Sequence, residues 1–476
     1  MGQKLFLFLS IILGCGFSHL MAGEKVVLTL EKCIDIALEQ NPELQKMEKE
    51  VAKARASVWE AYSYILPQIN ASATYQHSWD IQTSTIPNFL KFMLMPQPGL
   101  LPPQLEEIFT AYAGSMPDFV SLSFGLENTY RYGATLTQPL FLGGAGLAGI
   151  KIAGATQRAA EQTLESHRQN LIYRTTNAFY ACLLTEQIVK VQEEALAQAE
   201  KNLDLVTKKY NVGSASGFDK MRAEVEVANL KPQLISAKNH NKATITALKT
   251  VLGLEKETEI EAVGAFKLEQ QDFEEKALED YQKMALTRRP EIHALSEQKY
   301  IAQKGVSIAR SHFMPKIFFQ TDYSYLAMLP NQPLSRLSQN DFSKGFTSAI
   351  SLSIPLFTGF KNAKNLQKAK LDYNILLDTS KQLADGINAE VEIAYNSYIE
   401  AKEKYEAASQ SVDLANEALR LANMMYDEGA NTQLDVLNSQ LALTQARLNY
   451  ISSIYELQMA RYSLQKATGM LTGVLR

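Results

Sequence analysis

YNVGSASGFDKMRAE at residues 210–224 and YDEGANTQLDVLNSQ at residues 426–440 share Tyr, Gly and Asp at identical spacing, 216 residues apart. The same offset relates QPLFLGG at Gln138 to IPLFTGF at Ile354, and Gly253 to Gly469. Closer to the N-terminus, NPEL at Asn41 answers to RPEI at Arg289, and ILPQI at Ile65 to FMPKI at Phe313, now at an offset of 248. A constant offset over more than a hundred residues identifies a tandem duplication. The change of offset gives the first copy 32 extra residues, all between Pro67 and Pro139. They centre on the Pro-rich, apolar stretch IPNFLKFMLMPQPGLLPPQ around 86–103, whose composition argues for a packed role as a plug, a partner surface or a receptor site.

Within each copy the hydrophobic period switches from two to the heptad. From Ile69 to Trp79, Ile69, Ala71, Ala73 and Tyr75 alternate with Asn70, Ser72, Thr74 and Gln76, which predicts a strand. A second strand is predicted from Val120 to Leu136, and the second copy repeats the pair at Ile317–Ala327 and Phe346–Leu356. These four strands are the whole expected β content. The rest reads as helix. Leu171, Ala178, Thr185, Gln192, Ala199 and Val206 form one seven-residue row, and Ile387, Ala394, Ala401, Ala408, Ala415 and Ala422 its counterpart, as in coiled-coil seams. The run from Gly144 to Tyr210 allows a helix on the order of 100 Å long.

The expected order is a signal peptide at 1–22, a first repeat at 23–253 (strand hairpin about 67–139, helical hairpin about 143–253) and a linker at 254–276. A second repeat follows at 277–476, with a strand hairpin about 315–357 and a helical hairpin about 359–470. The signal-peptide reading rests on Lys4, the apolar run Leu5–Leu13, and small Ala22 and Gly23. ILGC at Ile12 offers a second reading, a lipoprotein site that would acylate Cys15, although Leu13 is awkward there. No later apolar run is long enough for a membrane-spanning helix. Cys33 and Cys182 fall in helical patterns and read as small buried thiols.

With a formal charge of -4 and scattered basic residues, the chain lacks the electrostatic footprint of a nucleic-acid binder. His77, His167, His240, His293 and His312 are dispersed without metal-ligand spacing, and FLGGAGLAGIKIAG at Phe141 lacks the phosphate-binding lysine. Neither catalysis nor a bound cofactor or metal is expected. The strands are long enough to cross a bilayer when tilted, and they alternate as a barrel wall does. Four strands cannot close a barrel, so several chains must contribute. Three chains give twelve strands and an open passage, whereas two give eight and a filled interior. The competing reading is a periplasmic coiled-coil adaptor or structural protein without a pore, which would not be expected to carry such strands.

A signal peptide, two strand hairpins and very long duplicated helices together resemble the TolC family of outer-membrane efflux proteins. NPEL, ILPQI, QPLFLGG and YNVGSASGFD carry the resemblance in the first copy, and RPEI, FMPKI, IPLFTGF and YDEGANTQLDVLNSQ in the second. It implies a mainly α protein with membrane β: a homotrimeric twelve-stranded outer-membrane barrel, four strands per chain, continued by a long α-helical coiled-coil barrel through the periplasm. It also implies an equatorial belt that includes 254–276. The implied partners are outer-membrane lipid, a periplasmic adaptor, and an inner-membrane pump of the resistance-nodulation-division or ABC type. Drugs, metals, small molecules and proteins are the family's cargo.

The resemblance makes each duplicated turn a periplasmic hairpin tip, with Gly213 and Gly429 at the adaptor contact. Asp435, in LDVLN, matches one of two acids that ring the family's constriction; Asn438 replaces the second, so that ring would be neutral. Asn431 stands where some members have a latching arginine, with Tyr426 and Asp219 as its companions. An amide lacks the guanidinium's charge and five donors, so this latch would be weaker. For Asp219 and Asp435 a helix-capping role is the alternative.

Overall fold

The computed structural model of the chain describes residues 26–97, 99–123, 125–255, 257–264, 266, 276–330 and 338–471. Residues 1–22 with Cys15, and 267–275 of the joining segment, lie outside the described residues. The duplication is visible in the element boundaries. Helices α1 (Leu30–Gln40) and α2 (Pro42–Ser63) recur as α7 (Leu278–Arg288) and α8 (Pro290–Ser311) at the offset of 248. Helices α5 (Ala145–Asn211) and α6 (Gly217–Leu252) recur as α9 (Lys361–Asp427) and α10 (Gln433–Ala467) at 216, and α5 and α9 each have 67 residues.

The breaks between helices follow from local chemistry. Asn41 and Arg289 precede prolines, whose rings disfavour helical backbone in the residue before them, and both are extended, with ψ of 122° and 128°. Proline then opens the next helix, where it has no hydrogen bond to lose. The copies cap this junction differently. Asn41 Oδ1 accepts from the Glu43 and Leu44 amides at 2.9 and 3.2 Å, whereas Arg289 pairs with Glu291 at 3.2 Å and with Glu390. Burial opposes ionisation of Glu291, but the hydrogen bonds from Arg289 and Ser166 prevail and hold its pKa below the usual range.

Two compact units result. The helical unit comprises residues 155–300 and 374–471 with the described residues up to Arg55. Each copy has its own core there: Cys33, Ala37, Leu171 and Leu248 in the first, and Tyr281, Ala285, Ile387 and Leu464 in the second, at equivalent positions. Of the seam residues, Leu171, Thr185, Gln192, Ala199 and Val206 are buried and Ala178 is half-buried. Cys33 and Cys182 are buried free thiols, and burial pushes them up to about 12 and about 11, which keeps them protonated and unreactive. Strands β1 (Val26–Leu28) and β6 (Ile260–Ala262), which the alternation pattern misses, pair in parallel and tie the joining segment to the start of the first copy.

The sheet unit comprises Ala56–Gly154 and Ile301–Tyr373. Strands β2 (Gln68–His77), β5 (Asn128–Phe141), β7 (Lys316–Leu329) and β8 (Ser343–Ser353) form one antiparallel sheet in the order β2-β5-β7-β8. The strand expected from Val120 to Leu136 is in fact two. Its first part is β4 (Phe119–Ser123), which pairs with β3 (Thr83–Pro87) in a separate ribbon, and Gly125, at a φ of +106°, interrupts the run. Alternation continues across such a break, so periodicity alone does not reveal it.

The register sorts the sheet's side chains. Ala71, Ala134, Tyr323 and Phe346 share one face, as do Ala73, Tyr132 and Tyr325; Ser72, Gly133, Ser324 and Gly345 share the other, beside Thr135 and Asp322. A bulge after Pro139 returns Phe141 to the apolar face opposite Ile317. Aromatic rings cluster at the far end of that face, where Tyr75 stacks on Tyr130 and Tyr132 on Tyr325, both at 5.0 Å. At ~3.3 Å per residue and a tilt of ~40°, Tyr130 and Phe141 lie roughly 28 Å apart across the sheet, close to the apolar band of an outer-membrane barrel.

The 32-residue excess of the first copy lies between β2 and β5. It holds the β3-β4 ribbon, α3 (Phe89–Leu94) and α4 (Pro103–Gly114), and the chain itself does not pack it. Among the described residues of 88–118 only Asn88 and Ala113 are buried.

Gly253 and Gly469 end equivalent helices at φ of +74° and +70°, and a Cβ at Gly253 would sit 3.1 Å from the Gln40 carbonyl oxygen. Gly253→Ala should therefore cost about 1–2 kcal/mol, since an L side chain is disfavoured there. Gly149→Ala, in a helix with nothing within 4 Å of the new Cβ, should be neutral or stabilising. Thermal unfolding followed by circular dichroism compares the two.

Candidate functional site

Both duplicated stretches form the same helix-turn-helix geometry. At the end of α5, Gly213 takes a φ of +80°, its N–H donates to the Tyr210 carbonyl at 2.9 Å, and Ser214 N–H donates to the Lys209 carbonyl at 2.8 Å. At the end of α9, Gly429 takes +74°, with Gly429 N–H to Tyr426 O at 3.2 Å and Ala430 N–H to Met425 O at 2.8 Å. These bonds satisfy carbonyls that a helix end otherwise leaves unpaired. Glycine is required because the left-handed turn is costly for any side chain.

The returning helices open with reciprocal caps. Ser216 Oγ accepts from the Asp219 amide at 3.1 Å, and Asp219 Oδ2 accepts from the Ser216 amide at 3.2 Å and from its hydroxyl at 2.6 Å. Thr432 and Asp435 repeat the box, with Asp435 Oδ2 accepting from the Thr432 amide at 3.0 Å and from its hydroxyl. The Thr432 hydroxyl and amide hold the Asp435 carboxyl below its ordinary pKa. The capping reading of both acids is thus a geometric fact. The other Asp435 oxygen has no hydrogen-bond partner among the described residues.

The two tips touch each other through residues that the sequence did not single out. Lys209, at the end of α5, sets its Nζ 4.1 Å from the centre of the Tyr426 ring and 3.9 Å from an Asp427 carboxylate oxygen. Gln433, 4% exposed at the start of α10, sets its side-chain amide against Asp219; with the amide assigned in the orientation that satisfies its neighbours, its NH2 donates to the Asp219 carboxylate at 3.3 Å and to the Asp219 carbonyl at 3.2 Å. Burial, with the negative charges of Asp219 and Asp427, raises the pKa of the Tyr426 hydroxyl and keeps it a neutral donor. A signal was available in the alignment of the copies. Lys209 corresponds to Met425 and Gln433 to Gly217, so these positions break the repeat.

Of the expected site residues, Asp219 and Tyr426 come together here with Gln433 and Lys209. Asp435 caps its own helix one turn away from Asn438, which is exposed. Asn431 is half-buried and engages the turn by its backbone, N–H to Met425 O at 3.2 Å, while its side chain has no partner within the chain among the described residues. No group of three or more metal-ligating side chains occurs among the described residues.

A sheet with one apolar and one polar face, in a chain whose paired helices close in two capped turns, defines the fold class of the bacterial outer-membrane channels. The chain belongs to the outer membrane efflux protein family, which matches residues 33–254 and 282–470. It is similar to the outer membrane efflux protein BepC of Brucella suis, 22% identical over 379 residues covering 78% of this chain and 77% of that protein. It is also similar to the outer membrane protein TolC of Vibrio cholerae, 21% identical over 331 residues covering 66% and 71%. The crystal structure of the Campylobacter jejuni CmeC outer membrane channel shares its fold with a TM-score of 0.72 at 18% identity, over 93% of this chain and 85% of that one. The family is one of transport proteins rather than enzymes, located in the outer membrane, and the assignment sides with a channel against an adaptor.

Thr432→Ala should speed amide exchange severalfold in the first turn of α10, because the N-cap bond is lost. The contribution of Asp435 depends on pH in a defined direction. With a depressed pKa it stabilises the cap fully above the ordinary carboxylate value of about 4, and this is lost as pH falls through the depressed value. Protection of the α10 tip, corrected for intrinsic exchange, should hold between neutral and mildly acidic pH and drop only in strong acid.

Proposed function

We propose that three copies of the chain close one twelve-stranded barrel in the outer membrane and form a conduit for export across the envelope. The observation that carries this reading is the sheet. Strands β2 and β8 are its two edges, each with a row of backbone groups that no strand among the described residues pairs, while one face is apolar and aromatic and the other polar. In lipid an unpaired backbone group costs several kcal/mol, so β2 of one copy must meet β8 of the next. Three copies leave a lumen lined by the polar face.

In this reading residues 1–22 direct export and are removed, with acylation of Cys15 as the alternative processing. The repeats 23–253 and 277–476 supply the paired helices, and 254–276 joins them within an equatorial belt. A periplasmic adaptor docks at the turns of Gly213 and Gly429, and an inner-membrane pump of the resistance-nodulation-division or ABC type drives the cargo: drugs, other small molecules or proteins. The gate lies at the tips. Three Asp435 carboxylates converge on the axis, where like charges repel unless hydrated or bound to cations. Asn438 leaves the neighbouring ring neutral and weakens any block by multivalent cations. Lys209 and Gln433 do within each chain what Asn431 is poorly equipped to do, holding Tyr426 and Asp219 against the opposite hairpin.

Cysteines introduced along β2 and β8 should cross-link between chains and yield covalent oligomers up to the trimer; cross-links confined to one chain would defeat the barrel. In planar bilayers, Asp435→Ala should lower cation selectivity. The pair Lys209→Ala and Gln433→Ala should raise single-channel conductance more than Asn431→Ala with Tyr426→Phe does. A pore indifferent to all five substitutions would return these residues to capping and packing alone.

A further inference from the structure

We infer that the 88–118 insert of each chain packs, through the apolar faces of α3 and α4, against the inserts of the other two chains and caps the mouth of the barrel at the end away from the helices. The inference rests on the trimer reading. Its starting point is a segment with order but no core of its own. Asn88 caps α3 through the Lys91 amide at 3.3 Å and donates to the Pro117 carbonyl at 3.0 Å. Lys91 Nζ binds the Met116 carbonyl at 3.0 Å and the Asp118 carboxylate at 2.6 Å, and the β3-β4 ribbon closes the base. These polar ties fix the backbone while Phe92, Met93 and Ile108 stand 69%, 85% and 63% exposed, beside exposed Phe89 and Tyr112. An apolar patch of this kind on an ordered element marks an interaction surface.

Three observations choose a second copy as the occupant. The insert connects β2, the sheet edge that the barrel must pair with a neighbouring chain, to β5 through the β3-β4 ribbon, so one of its two ends leaves the sheet at the proposed interface. Its charge does not suit the anionic headgroups of a membrane surface. Residues 88–118 contain Lys91, Glu106, Glu107 and Asp118 as their charged side chains; the single cation is held by Asp118, and Glu106 accepts from the Gly99 amide at 2.8 Å. Finally, the second copy lacks an equivalent, so a trimer carries three inserts, one per chain, related by the symmetry axis. A closed threefold arrangement lets the same patch bury itself against itself.

The test uses detergent-extracted trimer carrying Met93→Cys, with Glu107→Cys on the polar side of α4 as the reference; the native thiols of the described residues, Cys33 and Cys182, are buried in the helical core. A short bis-maleimide should join two chains through Met93→Cys, giving a covalent dimer band in heated detergent. A bulky polyethylene-glycol maleimide should label Met93→Cys at least several-fold more slowly than Glu107→Cys until the trimer is unfolded. Equal labelling without cross-linking overturns the inference by showing a free face. Protection without cross-linking between chains also overturns it, and assigns the face to lipid or another macromolecule. Wild-type protein that does not run as a trimer before heating sinks the assembly reading itself, which separates that failure from this one.

Discussion

The constraint on which the structure depends is that backbone hydrogen bonds have no substitute in hydrocarbon. A four-stranded sheet with an apolar aromatic face cannot sit in lipid alone, because β2 and β8 each present an unpaired row. This makes the single chain an incomplete object. The polar face makes chemical sense only when turned inward: Asp322, accepting from Thr135 and Ser324 at 2.9 and 2.8 Å, belongs beside water rather than acyl chains. In the proposed assembly, closure and lumen follow from one requirement acting on two strand edges.

The helical unit answers a different need with the same repeated vocabulary. Each copy buries a short helix against its long pair through equivalent positions, Cys33 and Tyr281, Ala37 and Ala285, Leu248 and Leu464. The side chains differ in size, yet Ala37 and Ala285 stay small where helices approach closely. At the strand-to-helix junction the copies part. Gly144 takes a φ of +87° without strain, whereas its counterpart Phe360 holds +64°, packed edge to face on Phe357 at 5.6 Å. Both rings are exposed beside the end of the sheet, where outer-membrane barrels carry aromatic girdles.

Much of this was legible because it rests on periodicity and punctuation. Alternation located β2, β7 and β8, the heptads located rows of α5 and α9 that are buried except at half-buried Ala178, Ala408 and Ala415, and Gly213 and Gly429 announced turns with positive φ. What escaped the sequence was non-local. Two three-residue strands, β1 and β6, are too short for any period to register. The break between β4 and β5 is invisible because alternation runs through Gly125. Lys209 and Gln433 escaped because a residue that reaches across to another hairpin has no local pattern. The apolar character of the insert was plain, but that the chain would leave it uncovered was not, since composition does not say which molecule supplies the cover.

The mismatch between Lys209 and Met425, and between Gln433 and Gly217, has a mechanical consequence. In a threefold ring of six hairpins, boundaries within a chain alternate with boundaries between chains. The duplication makes the two kinds geometrically equivalent. The links of Lys209 to Tyr426 and Asp427, and of Gln433 to Asp219, occupy the first kind. At the corresponding places of the second kind the sequence supplies a thioether and a bare backbone, with neither charge nor amide to offer. Such a ring has three stitched seams and three plain ones. In the proposed trimer an iris built this way would part along subunit borders, each protomer swinging its two hairpins as one leaf, so that three leaves rather than six would set the symmetry of the aperture.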